Sequence, residues 1–185
     1  MKIITKIMIG VNIAAIATAS SMYYTKVSED IFSANQTQLI IAEVSMHLRN
    51  AKQVDCLAKN IYHEARNDGM TGQRAVAWAT MNRTKSEKYP DTICDVVYQA
   101  ELNDNGIPLK NKCQFSWFCD GKSDDITDQA AWNVSAKIAE EVFAAYGDEI
   151  DPTNGAIMYH ANYVEPFWVS SYTETARIDS HIFYN

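Results

Sequence analysis

One carboxyl group in the stretch Cys56-Leu-Ala-Lys-Asn-Ile-Tyr-His-Glu-Ala-Arg66 sits where it could do chemistry. The apolar positions Leu57, Ala58, Ile61, Tyr62 and Ala65 recur at helical spacing and predict one buried face. Glu64 follows Leu57 by seven residues. At about 100° per residue, it lies about 20° from Leu57 around the helix. A carboxyl group therefore shares the buried face. Burial disfavours its charged form, so Glu64 should have a raised pKa and could serve as a general acid. The structural alternative is a salt bridge with Arg66 or Arg74, since ion-pair networks also perturb carboxylates.

Three further clusters combine aromatic rings with polar groups: Gln114-Phe115-Ser116-Trp117, Tyr159-His160, and Trp168 with His181-Ile-Phe-Tyr184. Aromatic faces stack on the apolar faces of sugar rings, and Gln, Ser, His and Tyr supply hydrogen bonds. The mixture suits a groove for a polymeric sugar. Its plain alternative is ordinary packing by amphipathic aromatics. Other chemistries fit less well. His63-Glu64 does not open an H-E-x-x-H motif, because Asn67 occupies the second His position. There is no G-x-S-x-G, no phosphate-cradling glycine loop and no dinucleotide fingerprint. No cofactor and no metal site are expected. A pure sugar-binding module would use the aromatics without needing Glu64.

The elements that must position these groups are readable in outline. The first helix ends near Arg66, and Asn67-Asp-Gly69 is a turn signal. A second helix is predicted over 71–84, where Ala75, Ala77 and Ala79 permit close packing. A third is predicted over 91–100 behind Pro90, with Ile93, Val96 and Val97 inward. Residues 101–112 read as loop, and 113–121 as a short extended or irregular segment. A long helix is predicted over 127–146, with Gly147 as its stop. Strand-like segments follow at 156–160, 164–168 and 176–184. Helices first and strands later predict an α+β fold with a small antiparallel sheet.

A chain of 185 residues with 47% hydrophobic content is enough for one packed domain with appendages. The net charge of −7 and the absence of any Lys/Arg run argue against nucleic-acid binding. Lys2 and Lys6 precede a mostly apolar run from Ile7 to Ala19, and Ala17-Thr-Ala19 fits a small-residue cleavage site. The run is short against the about 20 residues of a membrane span. Residues 1–22 are therefore read as a signal peptide or signal anchor, with membrane attachment through residues 7–24 in the second case. Residues 23–53 form a partly helical spacer, and 54–185 the catalytic domain. The protein is expected to be exported to the periplasm or cell envelope and monomeric. An even set of cysteines behind an export signal points to disulfides. Cys113 and Cys119 are close in sequence and flank an aromatic segment, so the preferred pairing is 113–119 with 56–94. Zinc is the rival, but C-x5-C is not the usual spacing.

Taken in order, the motifs resemble the SleB-like, spore-cortex-lytic type of bacterial cell wall hydrolase. They are Leu57-Ala-Lys-Asn-Ile-Tyr-His-Glu-Ala-Arg66, Gly72-Gln-Arg-Ala-Val-Ala77 leading to Asn82-Arg83, and Tyr89-Pro-Asp-Thr-Ile-Cys-Asp-Val-Val-Tyr98. Cys113-Gln-Phe-Ser-Trp117, Gly155-Ala-Ile-Met-Tyr-His160 and His181-Ile-Phe-Tyr184 complete the set. The resemblance spans residues 54–185. It departs at Asn67-Asp68, where a Gly-Glu pair is common, and at Met158, where a small or polar residue is usual.

The resemblance implies a mainly helical lobe like lysozyme or lytic transglycosylases, with a small β lobe. It implies peptidoglycan glycan strands as substrate, cut between N-acetylmuramic acid and N-acetylglucosamine, with Glu64 as the catalytic acid. Gln114, Phe115, Ser116, Tyr159, His160 and His181 would bind or orient the sugar, and Trp117 and Trp168 stack on it. A transglycosylase needs one carboxylate, because the muramyl C6 hydroxyl attacks. A hydrolytic muramidase, including a phage endolysin, usually has a second. Asp95, Glu101, Asp120 and Glu165 are candidates without a distinguishing feature, which favours the transglycosylase.

Overall fold

A computed structural model describes the backbone of residues 2–185 and the side chains from residue 22 onward. The export segment expected over residues 1–22 falls, up to residue 21, outside the described side chains. Among the described residues no helix is long and apolar enough to cross a membrane. Helix α1 runs Lys2–Ala65. The chain divides into two units, Met1–Leu48 and Arg49–Asn185. In the first, the described part is helical, and its large apolar side chains, among them Ile31, Phe32, Leu39 and Ile40, are exposed. The second unit carries every residue singled out for chemistry.

That unit is built from the last turns of α1 and from α2 (Met70–Arg83), α3 (Ile93–Val97), β1 (Ala100–Leu102), β2 (Pro108–Cys113), α4 (Gln129–Ala145), β3 (Met158–Ala161), β4 (Glu174–Ile178) and β5 (His181–Tyr184). The α+β expectation holds: helices dominate, and two small antiparallel sheets accompany them, β1-β2 and β3-β5-β4. The stripe Leu57, Ala58, Ile61, Tyr62 and Ala65 is buried, as its spacing predicts. Leu57, Ala58 and Ile61 share a core with Ala77, Trp78, Met81, Val96, Val97, Ile138, Ala139 and Val142. Ala65 joins Ala75, Val76, Ala79 and Phe183 in a second cluster below the three-stranded sheet.

Helix α2 is buried on nearly every side, packed against α3, α4 and β4. Its small residues make that possible, and its start depends on a residue far away in sequence. Gly72 N donates to Asp179 Oδ2 at 2.7 Å, so the turn between β4 and β5 caps the helix. A Cβ on Gly72 would sit 2.7 Å from that oxygen and 2.9 Å from Asp68 Oδ2, which is why only glycine fits.

Four local expectations are corrected. Helix α3 covers only Ile93–Val97, capped by Thr92 Oγ1, which accepts from Asp95 N at 3.2 Å. The chain then leaves the helix to enter β1. Residues 101–112 belong largely to a hairpin, with Leu102 opposite Pro108 and Ala100 opposite Cys113. Its strands lie largely in solvent and carry Lys110, Asn111 and Lys112, so no apolar alternation marked them. The segment 164–168 is not a strand but leads into a 3₁₀ turn, Val169–Ser171. The stretch 176–184 is split into two strands by Asp179, whose φ is +49°.

The preferred cysteine pairing is the one formed. Cys56–Cys94 ties α1 to α3, and Cys113–Cys119 closes the end of β2 onto the 3₁₀ turn Ser116–Cys119. All four cysteines are used, which removes the zinc alternative.

Candidate active site

Glu64 lies in the last turn of α1 and lines a cleft of about 220 Å³. Gln114, Phe115 and Ser116 from the end of the hairpin, Met158 and Tyr159 from β3, Arg83 from α2, and Trp168 form the rest of its wall with Cys113. Elements distant in sequence thus meet around one carboxyl group. Among the described residues lining this cleft, Glu64 is the one carboxylate.

Glu64's surroundings favour its neutral form. Burial pushes its pKa up, and this outweighs two opposing influences: the hydrogen bond from Tyr159 and the positive charge of Arg83. Tyr159 Oη donates to Glu64 Oε2 at 3.2 Å. Burial, then the neighbouring Glu64 charge, lift the Tyr159 hydroxyl well above its ordinary range, so it stays protonated as a donor. The salt-bridge alternative is not what forms. Arg66 lies over the Tyr62 ring, 4.9 Å from its centroid, and Arg74 Nη1 pairs with Glu141 Oε2 at 2.7 Å.

A polar framework fixes the geometry. Asn60, one helical turn before Glu64, is fully buried; its Nδ2 donates to Thr80 Oγ1 at 3.0 Å, and its Oδ1 accepts from Trp117 Nε1 at 3.1 Å. This locks α1 to α2 and to the 3₁₀ turn that carries Ser116. Asn82 Nδ2 donates to Asp151 Oδ2 at 2.8 Å and to Ala156 O at 3.1 Å, and Arg83 Nε donates to Ile157 O at 2.7 Å. The Asn82-Arg83 pair therefore clamps the segment that leads directly into β3 and Tyr159. Buried polar groups satisfied in this way rigidify a site.

The structure gathers Glu64, Gln114, Phe115, Ser116, Tyr159 and Trp168 around the cleft, and places the other sequence candidates elsewhere. Trp117 is buried, stacked on His63 at 4.4 Å between ring centroids, and lines a separate cavity of about 450 Å³ with Asp120 and Asp124. His160 bonds Tyr184 Oη through Nε2 at 2.9 Å and meets the edge of Trp168. His181 is 6% exposed and its Nδ1 lies 2.9 Å from Asp68 Oδ2, with its ring against Tyr159. Asp95, Glu101 and Glu165 are exposed, and Asp120 pairs with Lys122. None of the four lines the Glu64 cleft. Size does not identify the site: the larger cavity is lined by Asp120 and by the exposed Asp124 and Asp125, whereas the smaller one holds the carboxyl group whose pKa burial raises.

Two lining residues were missed by the sequence reading, Arg83 and Met158. Val76, Thr80 and Arg83 follow one another at helical spacing, so the cation could have been read onto a buried face. Met158 had no such signal.

Comparison with known proteins follows the same outline. The family model described as Cell Wall Hydrolase matches residues 67–184, beginning just past Glu64. The spore cortex-lytic enzyme of Halalkalibacterium halodurans is 29% identical over 133 residues, covering 71% of this chain and 34% of that protein. The chain thus spans about a third of that curated relative's length. The catalytic domain of the Bacillus cereus SleB protein shares the fold at 22% identity and a TM-score of 0.50, over 74% of this chain and 91% of the other. The catalytic domain of the germination-specific lytic transglycosylase SleB from Bacillus anthracis does so at 22% identity and 0.52, over 72% and 93%.

Proposed function

Because this chain belongs to the cell wall hydrolase family, we propose that it cleaves the β-1,4 bond between N-acetylmuramic acid and N-acetylglucosamine in peptidoglycan, as a lytic transglycosylase with Glu64 as acid and then base. The observation that carries this reading is a single carboxyl group, whose pKa burial raises, as the one carboxylate among the described residues of its cleft. The name of the Bacillus anthracis structure, a lytic transglycosylase, points the same way.

Glu64 gives its proton to the glycosidic oxygen as the C1–O bond breaks, and an oxocarbenium-like centre develops at the muramyl C1. The Glu64 carboxylate then takes the proton of the muramyl C6 hydroxyl as that oxygen bonds to C1. A 1,6-anhydro end forms and the acid is restored. One carboxylate completes the cycle, so the exposed Asp95, Glu101 and Glu165 have no role in it. Tyr159 orients Glu64 and favours its charged form at the moment of proton transfer. Gln114, Ser116 and Trp168 supply donors, acceptors and an aromatic face to the sugar. The two disulfides fit an oxidising, extracytoplasmic compartment. Residues 1–22 would provide the export signal, cleaved or retained as an anchor.

The test is a digest of purified sacculi. Wild type should release soluble muropeptides with anhydromuramic ends, identified by mass spectrometry, and Glu64→Gln should fold and bind sacculi but release none. Release by Glu64→Gln would refute the assignment of the acid. Reducing muramic ends from wild type would replace transglycosylation by hydrolysis.

A further inference from the structure

Arg83 is a buried cation with no salt-bridge partner among the described residues. Its side chain belongs to a residue only 3% exposed. Nε is committed to Ile157 O, while Nη1 is buried with no hydrogen-bond partner among the described residues. Its guanidinium lies over three ring faces, those of Phe115, Tyr89 and Tyr159, at 4.8, 5.1 and 5.6 Å from their centroids. Ring faces attract a cation but carry no compensating charge. A buried charge left in this way is costly. Holding Ile157 O does not require it, because a neutral amide could donate there as well. The same residue lines the Glu64 cleft.

We propose that Arg83 is a positioning residue that balances the negative charge created on Glu64 when the glycosidic oxygen is protonated. This rests on the reading of Glu64 as the acid. As the acid, Glu64 begins the reaction protonated, and Arg83 has no salt-bridge partner among the described residues. Proton transfer moves a proton from Glu64 to the glycosidic oxygen and leaves a carboxylate in the same cleft as the guanidinium. Charge is then matched beside a buried guanidinium, where such a match is worth more than in open water. When Glu64 takes the C6 hydroxyl proton, the arrangement returns to its start. Arg83 thus favours the charged form of Glu64 without holding it as a permanent salt bridge, which would leave no acid to begin with.

The groups that bear on this titration come from four elements. Tyr159 of β3 donates to Glu64 and faces Arg83. Tyr89, in the segment after α2, faces Arg83 from another side. His181 of β5, held by Asp68, meets Tyr159 edge-on behind the site. Arg83 is the one cation among them that acts directly on Glu64.

The experiment measures muropeptide release against pH for wild type, Arg83→Gln and Arg83→Lys, with thermal melting to check folding. The alkaline limb of the profile reports loss of the Glu64 proton. Arg83→Gln keeps a donor for Ile157 O but removes the charge. Its limb should move to higher pH and its plateau rate should fall roughly ten- to hundredfold. Arg83→Lys, whose compact ammonium sits on a shorter and less rigid stem, should fall between the two. A folded Arg83→Gln with the wild-type limb overturns the proposal, because a merely structural residue would change yield or stability and not the limb. If Arg83→Gln does not fold, Arg83→Met, also uncharged, takes its place, and a wild-type limb in the folded Arg83→Met enzyme overturns the proposal equally. An active Glu64→Gln enzyme would instead refute the acid assignment itself, so the two failures are distinguishable.

Discussion

Tyr159→Phe isolates one hydrogen bond of the site. The substitution removes the hydroxyl that donates to Glu64 Oε2 and keeps the ring, which packs at 5.6 Å from Phe183 and 5.3 Å from His181 between centroids. A hydrogen bond to a charged group contributes about 1.5 to 3 kcal/mol. At 3.2 Å this one is long for an O–H···O pair, so the lower end applies. The bond strengthens as Glu64 becomes charged, so its loss falls mainly on the transition state. About 1.5 kcal/mol there corresponds to roughly a tenfold lower rate. The direction of the pH effect also follows. Tyr159 favours the carboxylate, so removing its hydroxyl lets burial push the Glu64 pKa higher still, and the alkaline limb should shift upward. Initial rates of muropeptide release from sacculi across the pH range, with melting curves as a folding control, provide the measurement. A folded Tyr159→Phe enzyme with wild-type rate and an unmoved limb would refute the claim that this hydroxyl supports proton transfer.

Two predictions concern stability. Because burial raises the pKa of Glu64 in the fold, the folded chain holds a proton that the unfolded chain loses above the ordinary Glu value of about 4.3. Stability from this group is therefore lost as pH rises from there toward the folded value. Glu64→Gln should melt at a higher temperature than wild type at alkaline pH, and the gain should vanish in acid; calorimetry at both ends of the range checks it. The disulfides should differ in weight. Cys56–Cys94 joins residues 38 apart and Cys113–Cys119 residues 6 apart. Loop-closure entropy assigns about 4 kcal/mol to the first and about 2 kcal/mol to the second. Urea denaturation of the two double-serine variants should rank them in that order, and the reverse ranking would show that native-state contacts dominate.

What could be read from residues alone was what depends on local periodicity and spacing. The stripe from Leu57 to Ala65 repeats every turn, so it fixed both a buried face and the place of Glu64 on it. The cysteines paired as their positions indicated, since the short 113–119 span leaves 56 with 94. The long helix α4, which ends at Ala145 just before Gly147, was equally plain, because its apolar positions and its stop lie within one continuous segment. The hairpin 100–113 was not legible: its strands face solvent, so polar residues erase the alternation that would mark them. Helix α3 was overextended because the pull of β1 on residues 98–102 comes from pairing, not from their own sequence.

The site followed the same division. The sequence by itself placed a carboxyl group, Glu64, on an apolar helical face, and the ordered motifs made it the proposed acid. Only the tertiary structure decided its company. Folding brought Arg83 and Tyr159, far apart in the chain, to one carboxyl group. It turned His181 toward Asp68 and Trp117 toward Asn60, away from the cleft. It also left Glu64 without Arg66 or Arg74 as a partner. The physical reason is that a pKa depends on which charges and dipoles lie within a few ångströms. That distance is set by the packing of α1, α2 and β3, which no single segment encodes.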